Sequence, residues 1–310
     1  MRILFMGTPD IAKGCLETLI KENQNIIGVV SQPDKRSGRG NHMHFPPVKE
    51  LAVEYNIPVY QPEKARDISF IEEIKELNPD IILVVAYGQI LPKEILDIPK
   101  YGCINLHVSL LPKLRGAAPI NWCIINGDKK TGITTMLMDE GLDTGDILIQ
   151  EEFELDNEIT AGELHDIMME KGGLLLIKTI EELKNGTLVP TPQNHKEMTY
   201  APMMDKQMGE INFEKTSEEI HNLVRGVNPW PSAYTHWNEK VMKVWKTEII
   251  EKTTNKMPGT VLKIDKNGIQ VATINGIILI KEIQMQGKKR MSVEDFIKGN
   301  HISIGTILGK

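Results

Sequence analysis

Two residues whose types could do chemistry together stand two apart in the chain. Asn105 and His107 lie near the end of the apolar run Cys103-Ile-Asn-Leu-His-Val108. Side chains two positions apart on a strand share a face, so a carboxamide and an imidazole would project into the same space. A strand-end Asn or His can equally be structural, and spacing alone leaves both readings open. As a pair, these groups suit acyl transfer from one nitrogen to another. The attacking amine must lose a proton, the leaving nitrogen must gain one, and an oxyanion develops between them. Asn105 and a protonated His107 could donate to that oxygen, and one such donor is worth roughly 3–4 kcal/mol in comparable sites. Gly141-Leu-Asp-Thr-Gly-Asp146 is a tight loop after the strand-like residues 133–138. Asp143 could return a carboxylate over the same strand end, stabilising an imidazolium and moving the proton with His107 through a water. It could also be an ordinary Asx turn. This chemistry needs no covalent nucleophile.

Other chemistries fit less well. Ser109 lies two residues from His107, but no G-x-S-x-G elbow surrounds it, which weighs against a serine hydrolase. His42, His44, His165, His195, His221, His236 and His301 show no H-x-x-x-H spacing, and Cys15, Cys103 and Cys123 form no C-x-x-C pair. Neither a metal site nor a disulfide framework is expected. The first apolar run ends in Gly7-Thr-Pro-Asp10 rather than G-x-G-x-x-G, so a bound dinucleotide is not expected either.

The elements that must position Asn105 and His107 alternate. Apolar runs at 3–6, 26–30, 57–60, 81–86 and 103–108 are separated by helical patterns at 10–21, from Pro46-Pro47 through Ala52, at 68–77 and near Ile95. This order predicts an α/β domain with a Rossmann-like, doubly wound, mostly parallel sheet. In such sheets ligands bind beyond the carboxyl ends of the strands, which is where Asn105 and His107 fall. Thr160-Ala-Gly-Glu163 is a capping box opening a helix that continues towards Asn185-Gly186. Pro190, Pro192 and Pro202 punctuate a polar connection. Residues 216–225 are helical in pattern. From Ala233 onward, β-type segments alternate with hairpin signals at Asn267-Gly268 and Asn275-Gly276, and a short helix follows near 293–297. The expected division is a catalytic domain at 1–189, a linker at 190–206 and a smaller OB-like β-barrel at 207–310.

The 310 residues carry ordinary globular proportions, 41% hydrophobic and 25% charged. The net charge of −6 argues against a nucleic-acid partner, yet it is unevenly spread. Residues 1–206 hold 21 basic and 31 acidic side chains, and residues 207–310 hold 15 and 11. A mildly basic final third suits a partner that touches one end, although chance also produces such a swing. The start of the chain lacks a secretory apolar region, and no run approaches the ~18 apolar residues of a membrane span. A soluble cytoplasmic monomer with no membrane partner is expected.

The stretch NLHVSLLPKLRGAAPINW, with DEGLDTGDIL downstream, resembles the signature of the folate-dependent formyltransferases. That superfamily places an Asn, a His and an Asp at the positions of Asn105, His107 and Asp143, which the resemblance makes catalytic. Within it, the chain resembles the methionyl-tRNA formyltransferase family in three places: RGAAPI at 115–120, the basic glycine-containing stretch QPDKRSGRG at 32–40, and Asn228-Pro-Trp-Pro231 with the β-rich tail. The resemblance implies transfer of the formyl group of 10-formyltetrahydrofolate to the methionine amino group of initiator methionyl-tRNA, without a metal. It places the folate near Tyr87, Gly88, Ile90 and Leu91, near Ser109, Leu110, Leu111 and Pro112, and against the 137–143 loop. It assigns Lys35, Arg36 and Arg39 to the acceptor end of the tRNA, Arg39 above all. A cationic loop set among glycines can order on phosphates when RNA binds. Lys240, Lys243, Lys246, Lys288, Lys289 and Arg290 could add salt-sensitive backbone contacts. Trp230 and Trp237 are expected in the barrel core or an interface. Val108 departs from the smaller residue common in the family and should affect packing more than chemistry. The alternatives are a sugar-nucleotide formyltransferase, a 10-formyltetrahydrofolate hydrolase and a non-catalytic tRNA-binding protein.

Overall fold

The computed structural model describes residues 1–37 and 42–309. The chain divides into two compact units. One comprises Met1–Pro119, Lys130–Glu154 and His165–Ala201; the other comprises Ile120–Lys129, Leu155–Leu164 and the chain from Pro202 onward.

The strands of the first unit are β1 (Ile3–Gly7), β2 (Ile26–Val30), β3 (Lys35–Ser37), β4 (His42–His44), β5 (Val59–Tyr60), β6 (Ile81–Val85), β7 (Cys103–His107), β8 (Arg115–Gly116), β9 (Lys130–Leu137), β10 (Ile147–Glu154) and β11 (Tyr200–Ala201). The helices up to this point in the chain are α1 (Asp10–Lys21), α2 (Pro47–Glu54), α3 (Ile68–Leu77), α4 (Lys93–Leu96), α5 (Pro119–Ile125) and α6 (Ala161–Asn185). Seven strands form one sheet in the order β10-β9-β7-β6-β1-β2-β5. The five from β7 to β5 are parallel, and β9 and β10 extend the sheet antiparallel at one edge. The α/β, parallel-rich reading therefore holds. β1 and β6 are buried at every residue, as strands covered on both faces must be. The helices cover them with stripes at helical spacing: Ile11, Ala12, Cys15, Leu16 and Leu19 on α1, and Phe70, Ile71 and Ile74 on α3.

The close approach of α6 depends on a glycine. A Cβ on Gly172 would sit 2.5 Å from Leu106 Cδ2 and 3.2 Å from Cys15 Sγ. Leu106 lies between Asn105 and His107, so this helix backs the strand that carries them. The capping box at the start of α6 forms as read: Thr160 N donates to Glu163 Oε2 at 2.9 Å and Glu163 N to Thr160 Oγ1 at 3.3 Å.

The proline-punctuated segment is not a bare tether. Thr191 and Ile147 exchange two backbone hydrogen bonds of 2.8 Å, β11 pairs in parallel with β8, and Gln193 and Ala201 are buried.

The second unit adds α7 (Ser217–Gly226), β12 (Ala233–Trp237), β13 (Lys240–Ile250), β14 (Val261–Asp265), β15 (Gly268–Ala272), β16 (Ile277–Met285), β17 (Met291–Ser292) and α8 (Val293–Phe296). Its strands form an antiparallel sheet ordered β12-β13-β16-β15-β14, with β17 added to β16. The β14–β15 turn closes where Asp265 pairs with Gly268, which must be glycine: its φ is +148°, and a Cβ there would lie 2.5 Å from Ile280 O. Trp237 packs edge-on against Phe296, with ring centroids 5.8 Å apart. Trp230 departs from the core reading: it is 54% exposed, placed by the turn after α7 rather than by the sheet.

Candidate active site

The carboxyl ends of β6 and β7 open onto a cavity of about 520 Å³, within the usual range for small-molecule sites. Asn105, His107 and Asp143 all line it. Asn105 sits on β7 opposite Val84 of β6 and Met136 of β9, so its position is fixed by pairing on both sides. Among the described residues nothing hydrogen-bonds its carboxamide, which remains available to the cavity.

His107 is 6% exposed. Its Nε2 lies 2.9 Å from the Leu114 carbonyl, which can only accept, so Nε2 carries a proton. Nδ1 then faces Asp143, with Oδ2 at 3.7 Å. That gap is too long for a direct hydrogen bond. It suits an ion pair with an imidazolium, or a proton passed through an intervening water. Asp143 Oδ2 also accepts from Gly116 N at 2.8 Å.

The loop carrying Asp143 is locally determined. Asp139 Oδ1 accepts from Gly141 N at 3.0 Å and from Thr144 Oγ1 at 2.6 Å, an Asx-type turn. A Cβ on Gly145 would overlap the Leu137 carbonyl. Asp143 itself is left-handed, φ 53°, a conformation Asp tolerates better than most residues.

The folate expectations divide. Tyr87, Gly88, Ile90 and Leu91 line the cavity, whereas Ser109, Leu110, Leu111 and Pro112 do not. The latter shape the backbone after β7. Ser109 Oγ donates to Lys113 O at 2.7 Å, Thr134 Oγ1 donates to Ser109 O at 2.6 Å, and Gln150 Nε2 donates to Leu111 O at 2.9 Å. The Tyr87 carbonyl accepts from Thr8 Oγ1 at 3.0 Å and Gln32 Nε2 at 3.2 Å, so the turn after β1 braces the β6 end. Burial pushes the Tyr87 phenol up to about 12. It stays a hydrogen-bond donor at neutral pH, and its hydroxyl has no partner among the described residues.

Sequence reasoning missed several residues. Gly116, Met136 and Tyr200 also line the cavity, and Tyr200 reaches it from β11, far along the chain. Burial pushes the thiols of Cys15 and Cys103 up to about 12, which leaves them inert as nucleophiles. Among the described residues no group of three or more His, Cys, Asp or Glu is placed to hold a metal ion, and no helix is long and apolar enough to cross a membrane.

The basic stretch after β2 is a hairpin at its base: β3 pairs antiparallel with β4, Lys35 opposite His44 and Arg36 opposite Met43. Lys35 is exposed. The Arg36 side chain and the whole of Arg39 lie outside the described residues. The hairpin is anchored through Asp34, which Lys49 Nζ approaches at 2.7 Å and Gln61 Nε2 at 2.8 Å. Lys49 also stands 4.1 Å from the Phe45 ring centroid. In the second unit, Lys243 and Arg290 flank the Trp245 ring at 5.6 and 5.0 Å.

The chain matches the formyl transferase family over residues 1–180 and the formyl transferase C-terminal domain family over residues 203–301. It is 61% identical over 309 residues to the methionyl-tRNA formyltransferase of Clostridioides difficile, covering 100% of both chains. It is 54% identical over 310 residues to that of Alkaliphilus oremlandii, again covering 100% of both. Its fold is shared with a crystal structure of an N-formyltransferase from Helicobacter canadensis in complex with folinic acid and dTDP-3-aminofucose. The TM-score is 0.67 at 23% identity, over 92% of this chain and 99% of that one. A cavity at the ends of β6 and β7 with Asn105, His107 and Asp143 on its wall, and full-length likeness to named relatives, together place the chain in the methionyl-tRNA formyltransferase family.

Proposed function

We propose that this chain transfers the formyl group of 10-formyltetrahydrofolate to the free amino group of methionine on initiator methionyl-tRNA, with Asn105, His107 and Asp143 as its catalytic residues. The observation that carries the reading is the convergence of a carboxamide without a partner among the described residues, an imidazole and a carboxylate on one cavity. The cavity suits the folate: Val84, Ile90, Leu91, Met136 and Leu142 give it apolar walls beside the chain at 86–88. The folate supplies an activated formyl carbon. Asn105 and the protonated Nδ1 of His107 donate to the oxygen on which negative charge develops, a contribution worth about 3 kcal/mol for one well-placed donor. Asp143 balances the imidazolium charge and, through water, takes the proton that the attacking amine sheds; as the bond from the formyl carbon to the folate nitrogen breaks, that proton is returned through the same water to the leaving nitrogen. Gly116 N–H keeps the Asp143 carboxylate turned to this task.

For the acceptor, Lys35 and Arg36 of β3 and Arg39, which follows them in the sequence, contact the tRNA end, and the C-terminal unit contacts the tRNA backbone. Its antiparallel sheet is read as an OB-like module, and the catalytic domain as 1–189 with the connection at 190–206. The protein acts as a monomer in the cytoplasm, where its aminoacylated substrate is made and used. The basic C-terminal third and the cations flanking Trp245 support this placement of RNA.

Single-turnover formyl transfer tests the reading with four reactions: methionyl initiator tRNA, methionyl elongator tRNA, an amino-sugar nucleotide and no acceptor. Fast transfer to the initiator tRNA alone is expected. Transfer to the sugar, or formate release without an acceptor, would keep the site chemistry and overturn the acceptor.

A further inference from the structure

Behind the Asp143 loop lies a buried polar layer that the reaction chemistry does not use. Gln193 is 6% exposed, and its carboxamide makes four hydrogen bonds. Nε2 donates to the Asp143 carbonyl at 2.9 Å and to the Gly145 carbonyl at 2.7 Å. Oε1 accepts from Arg115 Nε at 3.2 Å and Nη2 at 2.5 Å. Every donor hydrogen on Nε2 is spent on the loop and every lone pair on Oε1 on the guanidinium.

Arg115 is also 6% exposed, and among the described residues it forms no ion pair. Its remaining contact is His195 Nδ1, 3.2 Å from Nη2. Burying a guanidinium without a carboxylate is costly, so its place here is not explained by charge pairing. A guanidinium presents its donors in a fixed planar fork, and that fork holds the Gln193 amide at one orientation. The backbone of Arg115 is fixed in turn. Its N donates to Thr199 O at 2.9 Å, and the next residue, Gly116, donates to Asp143 Oδ2. Asp143 is thus gripped from both sides, at its carboxylate by Gly116 and at its carbonyl by Gln193.

We infer that Gln193, oriented by Arg115, is a positioning residue that sets where the Asp143 carboxylate stands relative to His107. The inference rests on the formyl-transfer reading of this site. The Asp143 to His107 separation of 3.7 Å leaves room for the carboxylate to drift if its loop is released. Misplacing a reacting group by about 1 Å can cost roughly 10²-fold in rate.

The test is a double-mutant cycle read by single-turnover formyl transfer at saturating folate and methionyl initiator tRNA. Gln193→Glu keeps the shape and the acceptor for Arg115 but removes both donors to the loop. Gln193→Leu removes donors and acceptor in a similar volume, and serves as the second variant if the first does not fold. Each is expected to lower the transfer rate by about 10- to 100-fold, with the folate dissociation constant within about twofold of the parent. In an Asp143→Asn background the same change should cost less than about twofold, because the group being positioned has gone. A general structural lesion would instead multiply with Asp143→Asn. Such multiplication, or a full rate in a variant that melts like the parent, would overturn the inference. Absence of transfer by the parent protein would instead overturn the reading beneath it.

Discussion

His107 is held by a carbonyl on one side and faces a carboxylate on the other: Nε2 is 2.9 Å from Leu114 O, and Nδ1 is 3.7 Å from Asp143 Oδ2. The first contact fixes the tautomer, and the second sets the electrostatics of the nitrogen that faces the cavity. Asp143→Asn keeps the side-chain shape and the acceptor for Gly116 but removes the charge. It should lower the rate constant for transfer by roughly 10²-fold while leaving the binding of both substrates unchanged. Asn105→Ala and His107→Ala should each cost about 10²–10³-fold, again at constant tRNA affinity. Rapid-quench measurement at saturating substrates separates the two effects. A variant that lost tRNA binding and kept its transfer rate would reverse the assigned roles.

Gly116 joins backbone conformation to chemistry. Its φ is +111°, and a Cβ would lie 2.6 Å from Tyr200 Cε2 and 2.8 Å from the Ala201 carbonyl. The exposed Tyr200 ring could swing aside, but the Ala201 carbonyl belongs to β11 and cannot. Gly116→Ala is therefore expected to destabilise the fold by about 1–3 kcal/mol. It should also weaken transfer, because the Gly116 N–H that holds Asp143 must shift. Thermal melts and transfer rates measured together check this, and an unchanged melting temperature would show that the carbonyl can move.

The basic hairpin is anchored at its base by residues with no assigned role in catalysis. Lys49 and Asp34 have side chains only 16% and 20% exposed, and Gln61 completes the cluster. Lys49→Met leaves Asp34 without its cation, a loss of about 1.5–3 kcal/mol for a hydrogen bond to a charged group. The local consequence is a loosened hairpin. The KM for methionyl-tRNA should rise several-fold with the folate KM unchanged, a pattern that Arg39→Ala should share and exceed. Equal rises for both substrates would mean that Lys49 supports the catalytic unit as a whole.

What could be read from sequence was what repeats locally. The apolar runs of β1, β6 and β7 announce themselves because strands buried on both faces need continuous apolar residues. The Asn105/His107 pair follows from the two-residue period of one of them. What depends on distant pairing was hidden. Tyr200 reaches the cavity only because β11 pairs with β8, and Gln193 meets Asp143 across fifty positions of chain. β10 escaped notice because it is an edge strand, with Glu151, Glu152 and Glu154 facing water and cations as edge strands commonly do. The resemblance places Ser109 to Pro112 beside the folate; the hydrogen bonds of this segment to Thr134 and Gln150 come from residues that no local pattern links to it.

In the second unit, His221 sits on α7 with a side chain 6% exposed. Its Nδ1 is 3.0 Å from Thr247 Oγ1, and its Nε2 is 3.4 Å from Asn157 O and 3.6 Å from Glu158 Oε1. Burial, then the neighbouring Arg225 guanidinium, push its pKa below the ordinary 6.5; Glu158, the Asn157 carbonyl and Glu248 pull upward without reversing the shift. The fold therefore favours neutral His221. As pH falls through 6.5 the unfolded chain takes up this proton before the folded one does. The stabilisation is complete above 6.5 and is lost as pH drops towards the lower folded value. Urea melts between pH 7.5 and 5 should show stability falling with acidification, and His221→Gln, which keeps a donor and an acceptor but cannot titrate, should flatten that slope by up to one proton. Parallel slopes in the two proteins would mean that the acid sensitivity arises from other groups and that His221 is charged or neutral alike in both states.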